Sequence, residues 1–337
     1  MTKFRLKVTA YRRFCFLLSG FAGVLAAPSP AQAQAPTPYP TKPIRLIVPY
    51  PPGAGTDFTA RALGERITEA LGQQVVIDSR PGAAATLGHG IVAKSPPDGY
   101  TLLLATTGGM VSAPALGFPI VYDPVKDFAP IGLATFVPYS FVAFGGLPAN
   151  TMREFIAYAK AQPGKINFGS SGTGTPNHMG GVFLMKMTGI DMLHVPYKGG
   201  GPMLTDLIAG QMHVSFVSLP GVLPHVPTGR LKVLGVGYPR RLRSAPDFPT
   251  IAETVPGYSN TGWWGLAAPL GTPQAIVQKL NAAMNKGLQS PAMIQHFVSN
   301  GLEPTTSTPD AMRDIIASEL QLWRKMIKDA GINVKFM

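Results

Sequence analysis

The stretch from Ile44 to Asp57 constrains the fold more than any other part of the sequence. Apart from Arg45, the residues from Ile44 to Val48 are apolar and mostly β-branched, which is typical of a buried strand. Pro49 to Gly55 cannot extend that strand, because proline lacks an amide donor and glycine favours turn conformations. Apolar residues then recur at helical spacing. Such a strand–loop–helix unit aims backbone N–H groups at a possible anion site, although an ordinary connection would look the same.

Residues 1–33 have the layout of an export signal. Five basic side chains precede an apolar run over residues 14–27, and Ala31-Gln32-Ala33 fits a signal peptidase site. The run is too short to span a membrane. Cleavage after Ala33 would remove Cys15, the one cysteine of the sequence, and would lower the formal net charge from +12 to +7 by removing five positive charges. We therefore expect a periplasmic protein without disulfides.

Composition excludes several classes of function. Charged residues make up 14% of the chain, and the basic ones are spread out rather than arranged in a stripe with aromatic side chains. A nucleic-acid partner is therefore not expected, whereas weak attraction for small anions is. No stretch after residue 33 reaches the roughly 18 apolar residues of a membrane span. The six histidines are scattered and have no cysteine partner, so neither a metal nor another cofactor is expected.

Strands alternate with helices along the rest of the chain, after a proline-rich segment at 34–42 that is predicted to be disordered. This alternation predicts an α/β protein, in which ligands bind at the carboxyl ends of the strands. The Trp263-Trp264 pair fits a buried strand better than a surface that stacks a ligand. The predicted strands after the first are 75–78, 102–105, 131–137, 166–169, 193–196, 214–217, 233–237 and 263–269. The predicted helices after the first are 84–94, 151–161, 179–187, 202–209, 273–288 and 309–330.

A second loop, Ser170 to His178, repeats the logic of the first. It follows a strand, is rich in Gly, Ser and Thr, and places Pro176 at a helix start. A hydrolase interpretation is disfavoured, because the G-x-S-x-G pattern is absent and no acidic residue lies nearby to orient His178. Dinucleotide and P-loop patterns are absent as well. Hydroxyl and backbone N–H groups after a strand favour a loop that binds a carboxylate.

Several motifs follow one another in a specific order across the sequence after residue 33. The motifs are Ile47-Val48-Pro49-Tyr50-Pro51-Pro52-Gly53-Ala54-Gly55-Thr56-Asp57, Arg80-Pro81-Gly82, Pro97-Asp98-Gly99-Tyr100-Thr101-Leu102-Leu103, Phe168-Gly169-Ser170-Ser171-Gly172, Gly174-Thr175-Pro176-Asn177-His178, His194-Val195-Pro196-Tyr197-Lys198-Gly199, Asp247-Phe248-Pro249-Thr250, Pro256-Gly257-Tyr258 and Trp264-Gly265. In that order they resemble the TctC/Bug family, the extracytoplasmic substrate-binding receptors of tripartite tricarboxylate transporters.

The resemblance implies a type II periplasmic-binding-protein fold, with two Rossmann-like α/β domains, a ligand cleft and a hinge. Domain 1 would comprise 42–142 and 265–337, domain 2 would comprise 143–264, and 34–41 would be an N-terminal lead. The implied function is capture of a small organic acid and its delivery to membrane permease subunits, by a monomer without cofactor. Two alternatives stay open, namely a ligand-binding module of a sensor system and an enzyme on the same fold.

The implied site lies where the two loops face each other, with backbone and hydroxyl groups rather than charged side chains holding a carboxylate. Three positions depart from the family pattern. Ala54 stands where glycine is common, Val217 stands where many members carry aspartate, and His213 replaces a frequent aspartate. The expected ligand-binding residues are Tyr50, Gly53, Ala54, Gly55, Thr56, Asp57, Thr106, Thr107, Ser170, Ser171, Gly174, Thr175, His178 and Val217.

Overall fold

A computed structural model of the chain describes residues 39–53, 55–242 and 244–329. The export signal predicted at 1–33 and the start of the proline-rich segment lie outside the described residues, as does Ala54. The described part of the chain contains no helix with both the length and the apolar character that a membrane span requires.

The strands form one ten-stranded sheet, in the order β2-β1-β3-β9-β4-β7-β5-β6, with β8 and β10 also pairing with β4. The strands β1, β2 and β3 run parallel, as do β5, β6 and β7, and the antiparallel strands β9 and β4 join the two sets. Their bounds are β1 Ile44–Val48, β2 Val75–Ser79, β3 Thr101–Thr106, β4 Phe128–Phe144, β5 Ile166–Ser170, β6 Met192–Pro196, β7 Val214–Ser218, β8 Leu231–Val236, β9 Thr261–Pro269 and β10 Glu303–Pro304.

Most helices follow strands in the α/β pattern that the sequence predicts. A π-helical turn, Gly108–Ser112, comes directly after β3, and short 3-10 turns lie at Ala83–Ala85, Leu223–His225 and Ile251–Glu253. The α-helices are α1 Gly55–Leu71, α2 Thr86–Ala93, α3 Ala113–Ala115, α4 Met152–Lys160, α5 Pro176–Thr188, α6 Gly200–Ile208, α7 Leu219–Val222, α8 Gln274–Leu288, α9 Pro291–Ser299 and α10 Pro309–Asp329.

The long strand β4 connects the two parallel sets of strands. It pairs with β9 up to Pro138 and with β7 from Tyr139 onward. At this point the backbone of Tyr139 also accepts a hydrogen bond from Gly237, over 2.8 Å. Two α/β halves therefore share one continuous strand. The division into two domains with boundaries near 142 and 264 stays a prediction.

The elements predicted from the sequence are present, with differences at their ends. The strand predicted at 131–137 is longer, because both of its ends pair with neighbouring strands. The helix α9 and strand β10 were not predicted. The disorder predicted for 34–42 is wrong from Tyr39 onward, because the Tyr39 hydroxyl donates to the carbonyl of Gly99 over 2.7 Å and its ring packs against Tyr100.

A buried asparagine on α8 supports an irregular stretch of β4. The pairing register between β4 and β9 shifts around Ile131, so the carbonyl of Ile131 is free of the sheet ladder. The Asn281 side-chain amide donates to this carbonyl over 2.7 Å, and to the carbonyl of Ser307 over 2.8 Å. One side chain thus satisfies backbone groups of two segments.

We expect Asn281→Ala to lower the free energy of unfolding by about 1–3 kcal/mol, because the buried carbonyl of Ile131 would lose its donor. Urea denaturation would measure the change. The exposed Gln278 on the same helix offers a matched control, and Gln278→Ala should change stability by less than about 0.5 kcal/mol. Equal effects of the two substitutions would show that the amide does not support β4.

Candidate functional site

A cavity of about 50 Å³, partly open to solvent, lies where loops from both halves of the sheet meet. Its wall includes the N-terminus of α1, the loop after β5, and the end of β7. The polar side chains that line it belong to Tyr50, Thr56, Tyr139, Ser171, Asn177 and Ser218, and the apolar ones to Met203, Leu204, Val217 and Trp264.

The N-terminus of α1 forms one part of this wall. Gly55, the first helical residue, packs so closely that a Cβ placed on it would lie 2.7 Å from the Trp264 ring and 2.9 Å from the Ser218 hydroxyl. The next residue, Thr56, is 5% exposed, and its hydroxyl has no hydrogen-bond partner. The first N–H groups of a helix also lack intrahelical acceptors. This end of the cavity therefore offers unused donors.

Other residues of the first loop shape it and do not line the cavity. One carboxylate oxygen of Asp57, Oδ2, accepts a hydrogen bond from the backbone N–H of Gly53 over 3.4 Å and pairs with Arg61 over 3.1 Å. This interaction closes the loop onto the first turn of α1. It also partly balances the negative charge of Asp57 next to the cavity. Ala54 lies outside the described residues.

The second loop contributes Ser171, which is held by a chain of hydrogen bonds. Its hydroxyl donates to the Asn177 side-chain oxygen over 2.7 Å, and the Asn177 amide donates to the carbonyl of Phe216 over 2.5 Å. The hydroxyl proton of Ser171 is therefore engaged. What Ser171 can still offer to a ligand is its hydroxyl oxygen, as a hydrogen-bond acceptor, and its backbone. The chain also ties the start of α5 to β7.

The second loop is held in shape by internal hydrogen bonds of Thr175, Ser170 and Gly174. The Thr175 hydroxyl caps α5 by accepting from the backbone N–H of His178 and donates to the carbonyl of Gly172 over 2.7 Å. The Gly174 N–H donates to Nδ1 of His178 over 3.1 Å. These contacts use the hydroxyl of Thr175 inside the loop, so it does not line the cavity.

Ser170 also forms a serine–histidine pair with His194 of β6, which the sequence does not reveal. Oγ of Ser170 lies 2.7 Å from Nε2 of His194, whose ring stacks on His178 with the ring centroids 4.0 Å apart. The pair does not line the cavity, and Ser170 is fully buried with its oxygen also accepting from the N–H of Gly172. A nucleophile must reach its substrate, so this pair has the geometry of a structural contact.

Burial keeps three histidines neutral. Desolvation lowers the pKa of His178 to about 3, with the neighbouring His194 adding to the effect, and lowers the pKa of His194 to about 4. Desolvation also lowers the pKa of His89 to about 4, against the opposing hydrogen bond to the carbonyl of Ala85. His89 bridges α2 to the end of β3 through the backbone N–H of Thr106.

Tyr50 stands between two cavities. Burial raises the pKa of its hydroxyl to about 12, although a hydrogen bond with Thr106 opposes the shift, so the group is a neutral donor. Its hydroxyl lies so close to Gly108 that a Cβ there would be 2.5 Å away. Thr107 accepts from the backbone N–H of Trp263 over 2.7 Å and thereby joins β3 to β9. Thr106 and Thr107 therefore position the wall and are not part of its lining.

A second, larger cavity of about 480 Å³ adjoins the first and shares Tyr50 and Ser171 with it. Its wall includes the exposed Lys198 and the 3-10 turn Ala83–Ala85, whose three residues all have positive φ. Such dihedrals are strained for residues other than glycine. Within the described ranges, no group of three or more metal-ligating side chains comes together.

The structure thus brings together five of the predicted residues at the smaller cavity, namely Tyr50, Gly55, Thr56, Ser171 and Val217. Sequence reasoning missed Tyr139, Met203, Leu204 and Ser218, which carry no motif that would mark them. Asn177 belongs to one of the family motifs, and Trp264 was weighed as a residue that stacks a ligand. Both could therefore have been included among the predicted ligand-binding residues. Predicted residues that the structure places outside this lining are Gly53, Asp57, Thr106, Thr107, Ser170, Gly174, Thr175 and His178.

Comparisons with known proteins agree with the motifs. The profile of a family described as "Tripartite tricarboxylate transporter family receptor" (TctC) matches residues 59–332. Protein BugT of Bordetella pertussis is 35% identical over 299 residues, which cover 88% of this chain and 92% of that protein. Among solved structures, "R. palustris Rpa4515 with adipate" has a TM-score of 0.85 at 34% identity and covers 87% of this chain and 99% of that chain. The periplasmic binding protein BugD has a TM-score of 0.83 at 32% identity, with coverage of 87% and 99%.

We expect acid to destabilise the protein between about pH 6.5 and pH 4. In this window an unfolded histidine binds a proton, whereas the three buried histidines stay neutral, so the unfolded state gains protons and stability falls as the pH is lowered. The slope is at most about 1.4 kcal/mol per pH unit for each histidine. Urea denaturation at pH 7.0 and pH 5.5 would measure it.

A histidine substitution sharpens this test. His89→Gln keeps a donor and an acceptor but removes the titration, so the loss of stability between pH 7.0 and pH 5.5 should be smaller in this variant. An unchanged pH dependence in His89→Gln would contradict the assignment of a neutral His89.

Proposed function

We propose, since this chain belongs to the TctC family of tripartite tricarboxylate transporter receptors, that it captures a small carboxylate in the periplasm and delivers it to membrane permease subunits. The family consists of substrate-binding receptors, and the relative of known structure with adipate binds a carboxylate. By the same likeness, we propose that the protein is exported and acts without catalysis. The smaller cavity is the proposed binding site.

The observation that carries the proposal is that Thr56, in the first turn of α1, lines the cavity and has a buried hydroxyl without a hydrogen-bond partner. A buried polar group without a partner destabilises a protein, so its presence calls for an explanation. A carboxylate at this position would accept a hydrogen bond from the hydroxyl. It would also face the free N–H groups and the positive end of the helix dipole.

Neutral donors suit a receptor that must release its ligand. Within the described residues, none that lines the smaller cavity carries a charged side chain. Binding an anion through hydroxyl and N–H dipoles avoids the desolvation of a buried cation. It still provides charge-assisted hydrogen bonds, because the acceptor is ionised. We therefore propose Tyr50, Gly55, Thr56, Ser171 and Val217 as ligand contacts, with the other predicted residues shaping the loops.

We expect Thr56→Val to weaken carboxylate binding about tenfold to a hundredfold, which corresponds to the loss of one charge-assisted hydrogen bond of about 1.5–3 kcal/mol. The substitution keeps the shape of the side chain. The unliganded protein should be equally or more stable, because an unsatisfied hydroxyl is removed. Thermal shift over a panel of carboxylates would find a ligand, and calorimetry on that ligand would measure the change.

Thr59 provides a matched control for this experiment. It lies on the same helix, is fully buried and also has an unpartnered hydroxyl, but it does not line either of the cavities described above. Thr59→Val should therefore affect stability in the same way and leave binding unchanged. If no carboxylate raises the melting temperature, or if both variants bind as the wild type does, the proposed site is wrong.

We also propose that the two halves close on the ligand by a hinge motion. The proposal is supported by two features, the shared strand β4 and a cavity whose walls come from both halves. A ligand can enter such a cavity when the halves separate. Small-angle scattering should show a smaller radius of gyration at saturating ligand than without it, and equal radii would rule out the hinge.

A further inference from the structure

The hydrophobic part of the cavity wall is built from buried side chains of the second half of the sheet. Met203 on α6 is fully buried, and Val217 on β7 is 6% exposed. Both belong to one apolar cluster, against which Leu204 also packs. Trp264 on β9 adds an indole ring and is 3% exposed. A ligand held at the α1 end would therefore place part of its body against these apolar side chains, alongside the polar groups that line the rest of the cavity.

The charged groups nearest in sequence to the lining residues are engaged elsewhere. Asp57 pairs with Arg61 through Oδ2, while its buried Oδ1 has no hydrogen-bond partner, and Asp206 accepts a hydrogen bond from the hydroxyl of Tyr197 over 2.7 Å. Lys198 lies on the adjoining cavity and is exposed to solvent. A second carboxylate in the smaller cavity would repel the first and would have to share the same neutral donors with it, and an ammonium group would find no carboxylate among the lining residues. Burial of a charge without such partners is unfavourable.

We infer that the ligand of this receptor is a monocarboxylate with a small, uncharged, apolar body. The inference rests on the proposed function, since it assumes that the carboxylate binds at the N-terminus of α1 beside Thr56. The polar groups there hold one carboxylate, and Met203, Leu204, Val217 and Trp264 exclude water from the rest of the ligand. The cavity volume of about 50 Å³ favours a short or branched chain over a long one. Val217 sets this selectivity, because its side chain presents methyl groups to the ligand. An acidic side chain at this position would instead attract an ammonium group.

Three probes of nearly the same shape test the inference by calorimetry on the purified protein. The first probe is 3-methylbutanoate. The second is methylsuccinate, in which a carboxylate replaces one methyl group of 3-methylbutanoate. The third is valine, which is 3-methylbutanoate with an added ammonium group. We expect 3-methylbutanoate to bind at least tenfold more tightly than either of the other two. A measured affinity for methylsuccinate or valine equal to or above that for 3-methylbutanoate would overturn the inference.

Two substitutions test the role of the apolar wall. Val217→Asp should abolish the preference for 3-methylbutanoate over valine, because the new carboxylate repels the ligand anion and attracts its ammonium group. Leu204 is half-buried, so a substitution there is tolerated more easily. Leu204→Gln should lower the affinity for 3-methylbutanoate at least threefold. Thr205→Gln, at an exposed position on the same helix, is the control and should leave the affinity unchanged. If Leu204→Gln also leaves the affinity unchanged, Leu204 does not contact the ligand and the apolar wall is misplaced.

The outcomes separate the inference from the proposed function. Binding of methylsuccinate without binding of 3-methylbutanoate would overturn the inference and leave a carboxylate receptor in place. In that case Lys198→Ala should weaken the binding of methylsuccinate. The second carboxylate would extend past Tyr50 into the adjoining cavity, whose wall includes Lys198. Failure of the three probes and of the whole carboxylate panel would overturn both.

Discussion

The close approach of the first helix to the central strands is the contact on which the site depends. Gly55 lets the N-terminus of α1 lie against the Trp264 ring and the Ser218 hydroxyl, at distances that any larger residue would prevent. Through this contact, a helix of one half meets strands β9 and β7. The first turn of the helix, with its free N–H groups and the buried hydroxyl of Thr56, consequently lines a cavity whose walls come from both halves.

Hydrogen bonds between neutral groups hold the rest of the site in place. The chain from Ser171 through Asn177 to the carbonyl of Phe216 fixes the second loop to β7. Thr107 fixes β3 to β9 in the same manner. Inside a protein such bonds are strong and directional, and they avoid the desolvation that a buried ion pair would require. The loops are thus preorganised by neutral groups, and the ligand would supply the charge.

The fold was predictable to a large extent, because strands and helices leave local signals. The buried strand from Ile44 to Val48 and the cap of α4 at Thr151 are read directly from residue type and spacing. The family resemblance and the type II periplasmic-binding-protein fold are confirmed by the comparisons. Irregular features left no such signal. The π-helical turn after β3 and the bulge at Ile131 depend on contacts with distant residues such as Tyr50 and Asn281.

The sequence by itself determined which loops carry polar groups and which strands lead into them, since both follow from local propensity. It could not show which of those groups remain free. Ser171 and Thr175 look equivalent in a Gly/Ser/Thr loop, yet both hydroxyl protons are engaged, and of the two residues Ser171 alone lines the cavity. Thr56, which the sequence already named among the expected ligand contacts, keeps an unused hydroxyl. Tertiary structure alone decided this, because a hydrogen bond depends on the position of a partner that is remote in sequence. The apolar wall around Val217 was decided in the same way, by packing between α6, β7 and β9.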